Sequence, residues 1–152
     1  MNTMPIDVRR RMMFVDDLRS MKEMDVCEIE YLKEAARKGS DSFLEALCHV
    51  CGRETSAYIR RIAESCFGRA ELILDQMEER RMQAEIDQQW EDCLWLMMGC
   101  YMVSTCAAEM AKCIDQELHW AVMLHHGRMK ACCAKAFDIN LDMLQQWKER
   151  LN

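Results

Sequence analysis

The chain has 152 residues, a mass of 17.9 kDa and a net charge of -6, which is enough length for one domain with a buried core. Its 51% hydrophobic and 30% charged residues, with five glycines and one proline, exclude a disordered chain and favour helices. The net negative charge argues against nucleic-acid binding over a large part of the surface, because binding to phosphates requires a basic face.

The first two predicted helices are marked by residues that begin helices. Thr3 is the predicted cap of the first helix, which has Pro5 in its first turn and runs to Lys22. Asp25 and Glu28 form a cap-like pair at the start of the second helix.

A third, short helix is predicted between two glycines. Gly39 ends the second helix, and Ser42 with Glu45 has the spacing of a capping box that begins the third. Gly52 then ends it.

The fourth predicted helix begins with a cap at Thr55 or Ser56. Its apolar stripe over residues 59–77 passes through Gly68 without losing phase, at a cost of up to about 1 kcal/mol relative to alanine. Over residues 78–89 the stripe gives way to charged side chains, which indicate either a solvated extension or a bend. We take the bend as the prediction.

Residues 93–108 carry no charged side chain and predict a central, buried helix. A helix that is apolar on nearly all sides must be wrapped by others, so Leu94 and Trp95 should both be buried. At about 1.5 Å per residue, the run is too short to cross a hydrocarbon core of about 30 Å. We therefore predict a core helix and no membrane partner.

The remainder of the chain predicts two more helices. Apolar residues recur at three and four over residues 111–136, as in an amphipathic helix antiparallel to its predecessor. Asp138 or Asn140 then caps a last helix that extends through Trp147. The predicted fold is all-α: one domain, residues 1–152, forming a compact bundle of about six or seven helices around residues 93–108.

The ten cysteines and fifteen methionines indicate an adaptable core in a reducing compartment. No export signal is seen, because the apolar run after Arg9 ends at Asp16 and Asp17. Reduced thiols in the cytoplasm are therefore expected, with cysteine packing as a small hydrophobe and methionine as flexible filler.

Two groups of residues have the spacing of metal or redox sites. Asp115, His119 and His126 are separated by four and seven, which places three ligand types on one helical face. Cys48 and Cys51 form a C-x-x-C pair. A solvated polar face for the first group and ordinary packing for the second are the preferred interpretations, so the prediction is no metal and no cofactor.

Residues 52–61, GRETSAYIRR, resemble the turn and start of the second helix in ribbon-helix-helix DNA-binding accessory proteins. The resemblance implies that the stretch from Gly52 to Arg61 contacts DNA. That family has a short β-ribbon before its first helix, whereas residues 31–38 here predict a helix. DNA binding is therefore an alternative to the main prediction.

A second resemblance covers GRAELILDQM and QQWEDCLWLMM, which are similar to the two metal-binding helices of MazG-type nucleotide pyrophosphohydrolases. Glu71 and Asp92 fall at two of that family's four acidic ligand positions. The other two hold Gly68 and Gln89, which supply no carboxylate for magnesium. The resemblance implies an active or degenerate enzyme of this class as another alternative.

The predicted function is non-catalytic binding of a macromolecular partner, most plausibly a protein, in a regulatory or adaptor role. A methionine-rich helical bundle offers a groove between helices for a partner helix, and in outline it resembles the fold of apoptosis regulators and their viral mimics. No catalytic residue is predicted, and self-association is left open. The predicted partner-binding residues are Arg60, Arg61, Arg80, Arg81 and Trp90.

Overall fold

The computed structural model describes residues 4–83 and 86–151, and these two ranges contain helices and no strand. The predicted all-α class is therefore confirmed. A 3-10 turn at Gly52–Glu54 joins the third and fourth helices. The helices are α1 (Ile6–Met21), α2 (Val26–Lys38), α3 (Ser40–Cys51), α4 (Thr55–Gln83), α5 (Gln88–Ile114) and α6 (Gln116–Leu151).

The start of α2 is the capping box that the sequence predicts. The Asp25 carboxylate accepts the Glu28 backbone N–H at 2.8 Å, and the Glu28 carboxylate accepts the Asp25 N–H at 3.2 Å. Pro5 occupies the cap position of α1, and the predicted cap Thr3 lies outside the described residues.

The predicted capping box of α3 is wrong. Gly39 adopts a φ of 139°, which side-chain-bearing residues rarely adopt, and this turn lets α3 begin directly at Ser40. Ser42 and Glu45 therefore lie inside the helix. Gly52 ends α3 as predicted, with a φ of 59°.

Helix α4 confirms the predicted apolar stripe and corrects the predicted bend. It runs unbroken through Gly68, and the stripe residues from Ile59 to Met77 are buried. The charged stretch remains helical as far as Gln83, and α5 begins at Gln88. Asp87 accepts the Trp90 backbone N–H at 3.0 Å as the cap of α5.

The two predicted helices at the end of the chain are one helix, α6. Asp138 and Asn140 are not caps, because the buried side of α6 continues in phase from Ala136 through Ile139 to Met143. The apolar packing of this side outweighs the local preference of Asp and Asn for helix starts.

Helices α4, α5 and α6 pack on one another along their lengths. Contacts between α4 and α5 run from the Arg80–Asp87 pair to the Gln76–Cys93 pair, as in an antiparallel hairpin. A second hairpin joins α5 to α6, in which Trp90 pairs with Asn140 and Ser104 with His126. This confirms that α6 lies antiparallel to α5.

Helix α1 packs on α5, and its buried residue Arg11 forms hydrogen bonds with the α2–α3 junction. The Arg11 Nε–H donates to the Ala36 carbonyl at 2.8 Å, and its Nη1 donates to the Ser40 hydroxyl at 3.3 Å. Arg11 is 5% exposed. A buried guanidinium is stable here because both interactions replace water.

The prediction that α5 is wrapped on all sides is wrong for its first half. Val103, Cys106, Ala107 and Met110 are buried, whereas Trp95 is 69% exposed. Leu96 and Met98 are exposed as well, and Leu94 is only half-buried. The charge-free run therefore combines a buried side with an apolar side that no described helix covers.

Within the described residues, α5 is the one helix that is long and apolar enough to cross a membrane, judged by length and composition alone. Its most apolar window has a mean hydropathy of 1.3, and 56% of that window is buried inside the bundle. Core helices of helical bundles meet the same two criteria, and one such helix is weak evidence for a membrane span.

Candidate functional site

The two basic residues at the start of α4 lie on the surface and contact their own helix. Arg60 forms an ion pair with Glu64 at 3.3 Å, one turn further on. The Arg61 guanidinium lies 5.3 Å from the centre of the Tyr58 ring. Residues 31–38, where the ribbon-helix-helix family would have its β-ribbon, lie in α2.

The two basic residues at the end of α4 form ion pairs with neighbouring parts of the chain. Arg80 forms an ion pair with Asp87 at 2.9 Å across the turn to α5. Arg81 pairs with Glu78 at 2.7 Å and with Asp142 of α6 at 3.6 Å. These arginines stabilise the corner of the bundle, and they lie about 30 Å along α4 from Arg60.

The partner-binding prediction requires Trp90 to lie on the surface, but Trp90 lies inside the bundle. Its side chain is 2% exposed, and its indole N–H donates to Asn140 Oδ1 at 3.0 Å. That bond satisfies the one polar atom of a buried indole. The five predicted partner-binding residues therefore do not form one surface.

The predicted set of metal ligands is dispersed. Asp115 ends α5 and accepts the Leu118 backbone N–H at 2.7 Å at the start of α6. His126 is buried and hydrogen-bonded to Ser104, so it is not on a polar face with His119. His125 is half-buried and lies 3.6 Å from Glu64. Within the described residues no cluster of three His, Cys, Asp or Glu could hold a metal ion.

The two carboxylates of the MazG resemblance line different grooves. Glu71 faces α6, in a groove that also contains Arg128 and Lys135. Asp92 lies in a groove between α4 and α5 with Arg80 and Gln89. The structure does not bring the two carboxylates together on one metal position.

Most of the thiols are buried, in environments that suppress their reactivity. All ten cysteines are free. Burial raises the pKa of Cys51, the second cysteine of the C-x-x-C pair, to about 11, whereas a redox-active thiol needs a lowered pKa. Burial likewise raises the pKa of Cys66 to about 12.

A strongly apolar concave surface lies between α5 and α6, and we call it the α5–α6 groove. Its volume is about 320 Å³. Met98 and Phe137 form its rims and are both more than half exposed, and Met97 and Ala136 form its floor. The lining residues are Leu94, Met97, Met98, Tyr101, Cys133, Ala136, Phe137 and Asn140.

Further exposed apolar side chains extend this surface. Leu141 and Leu144 are exposed and continue the Phe137 row along α6 at intervals of four and three, whereas Trp95 lines a separate groove with Leu72 and Leu96. Exposed apolar residues grouped in this way are typical of interaction sites, whereas scattered ones are not. Leu94, Met98 and Tyr101 follow the same four-and-three spacing, so the sequence did contain a signal for this surface.

The described residues form a helical bundle with an apolar groove between two antiparallel helices. No protein-family model matches the chain, and the comparisons with curated proteins and with solved structures give no significant match.

Proposed function

We propose that this protein acts by binding another protein, whose amphipathic helix lies in the α5–α6 groove. The observation that carries the proposal is the exposure of Met98 and Phe137 on opposite rims of a groove lined almost entirely by apolar atoms. Helix-in-groove recognition uses such a surface, and anchors at intervals of three and four enter it.

The chemistry of the groove supports a protein ligand better than a small charged one. Asn140 is its single amide side chain, and that amide accepts the bond from Trp90. Met97 and Met98 are flexible and polarizable, so the groove can adapt to the shape of a partner. A helix bound in the groove would also cover part of the exposed apolar side of α5.

The experiment places the photo-crosslinking residue benzoylphenylalanine at position 98 in the cell from which the sequence comes. We expect a covalent product with a protein, and Phe137→Asp should reduce its yield at least about tenfold by putting a charge on the opposite rim. Leu72 is a matched control, since it is 63% exposed on α4 against 62% for Phe137. Leu72→Asp should leave the yield unchanged.

Two results would contradict the proposal. One is the absence of any protein product from position 98. The other is turnover of a nucleotide with magnesium that is lost on Glu71→Ala and on Asp92→Ala, which would replace binding with the enzymatic alternative.

A further inference from the structure

The side of α6 that faces away from the bundle carries a second regular row of residues, which we call the outer row. Its members follow one another at intervals of four and three, so they share one side of the helix. All of them are exposed. The outer row consists of Trp120, Leu124, Gly127, Ala131, Ala134, Asp138 and Leu141.

The outer row is apolar towards its ends and small in its middle. Trp120 and Leu124 are each more than half exposed, and Leu141 is 49% exposed. Gly127 weakens the helix that contains it, yet nothing in the described fold lies within 4 Å of the position that its Cβ would occupy. The fold itself therefore gives no packing reason for this glycine, whereas a second helix that approaches closely would give one.

Two opposite charges are placed symmetrically about the middle of this surface. Lys130 lies four residues before Ala134, and Asp138 lies four residues after it. Both charged side chains are exposed, and neither forms an ion pair within the described residues. An antiparallel copy of the same helix, centred on Ala134, would bring each lysine opposite an aspartate.

We propose that this protein forms a dimer in which the α6 helices of two copies pack antiparallel along their outer rows, with the two-fold axis at Ala134. Both copies then use the same surface, as two-fold symmetry requires. Because α6 spans Gln116–Leu151, its midpoint lies within one residue of Ala134, and the two helices overlap over nearly their full length.

This register matches residues by size and by hydrophobicity as well as by charge. Gly127 faces Leu141 of the second copy, so the smallest residue of the row receives a large one. Leu124 faces Leu144 of the second copy, and both leucines are exposed in the single chain. The two copies of Ala134 face each other at the axis and allow the helices to approach closely.

The remaining helices of each copy lie away from this contact. Helix α6 packs against α4 and α5 with its opposite side, through buried residues such as Val122, Met129 and Ala136, and α1, α2 and α3 make at most marginal contacts with it. The nearest like charges, Arg128 and Lys135, lie on the α4 side, in the groove that also contains three carboxylates of α4. The two bundles therefore lie on opposite sides of the α6 pair.

The dimer also regulates access to the α5–α6 groove. Phe137 is a rim of that groove and the neighbour of Asp138 in the outer row. A second copy on the outer row and a partner helix in the groove therefore exclude each other, so the groove is open in the monomer. This regulatory role rests on the proposed function, whereas the dimer itself does not.

The first test is sedimentation velocity on the full chain over a range of micromolar concentrations. We expect a dimer for the unaltered protein. Ala134→Glu places two carboxylates against each other at the axis and should raise the dissociation constant at least about 100-fold. Ala57→Glu, at an exposed alanine of α4, should leave it unchanged. Far-ultraviolet circular dichroism checks that every variant remains helical.

The second test exchanges the two charges. Lys130→Asp and Asp138→Lys each place like charges opposite one another twice in the dimer, so each should raise the dissociation constant at least about tenfold. In an equimolar mixture of the two variants, a heterodimer restores both attractive pairs. This heterodimer should form with a dissociation constant within about threefold of that of the unaltered protein, which a general loss of stability could not produce.

Three results would each overturn the inference. They are a chain that is monomeric throughout, a dimer that survives Ala134→Glu, and a mixture of the two charge variants that stays monomeric. The crosslink from position 98 tests the proposed function separately. Ala134→Glu should raise the yield of that crosslink at least about twofold, and an unchanged yield would remove the regulatory role.

Discussion

Ser104 Oγ lies 2.8 Å from His126 Nδ1, and both side chains are buried between α5 and α6. The Tyr101 ring lies 5.5 Å from the imidazole, measured between ring centres. Burial lowers the pKa of His126, and the positive charges of Lys130 and Arg10 lower it further. The folded protein therefore favours the neutral form of this histidine more than the unfolded chain does.

The first prediction is a loss of stability in mild acid. The unfolded chain takes up a proton at His126 near pH 6.5, above the pKa in the folded state, so the free energy of unfolding falls as the pH drops below about 6.5. Urea unfolding at pH 7.5 and 5.5 measures this fall. His126→Gln should make it smaller. An equal fall in the protein and in His126→Gln would contradict the assignment.

The second prediction concerns Arg11, which joins α1 to the α2–α3 junction. Arg11→Ala removes the bonds to the Ala36 carbonyl and the Ser40 hydroxyl, and should lower the free energy of unfolding by about 2–3 kcal/mol. Urea unfolding gives the value. Arg9→Ala, at an exposed position of the same helix, should change it by less than about 0.5 kcal/mol. Equal effects at the two positions would show that the buried bonds do not stabilise the junction.

The third prediction separates the two sides of α5. Trp95→Asp places a charge on an exposed position and should preserve cooperative unfolding, whereas Val103→Asp places one in the core and should abolish it. Thermal unfolding followed by circular dichroism distinguishes them. Loss of cooperativity in Trp95→Asp would mean that the first half of α5 is enclosed.

The fourth prediction is a division of the thiols by reactivity. Cys27, Cys48 and Cys113 are exposed and should react rapidly with a chromogenic disulfide, whereas the other cysteines should react only after unfolding. At pH 8 a thiol with a pKa of about 12, as for Cys66, is ionised in roughly one molecule in ten thousand. Cys27→Ser should remove one rapid equivalent. Rapid reaction of Cys66 in the folded protein would be incompatible with the described core.

Two local rules, the capping box of α2 and the apolar stripe of α4, predicted the structure well. The capping box of Asp25 and Glu28 depends on residues three apart, and it forms as expected. The buried stripe of α4 was readable because its polar side is distinct, so the phase of the helix is unambiguous. Gly68 did not interrupt the helix, since nothing near it requires a turn.

The candidate site was harder to predict, because α5 is apolar on nearly every side. In such a helix the spacing of the apolar residues does not indicate which side is buried. The sequence therefore could not show that Trp90 is buried and Trp95 is exposed. The packing of α4 and α6 against one side of α5 determines which of its residues are buried. The same packing turned Phe137 outward and made it a rim of the α5–α6 groove.

The sequence alone determined the helical class, the starts of α1 and α2 to within a residue or two, and the buried line of α4, since all of these follow from interactions within a few residues. Only the tertiary structure decided that α6 continues past Asp138 and Asn140, and that α5 exposes Trp95, Leu96 and Met98. These features depend on which helix lies beside which. Contacts such as Trp90 with Asn140 join residues fifty positions apart, and local patterns contain no information about such pairs.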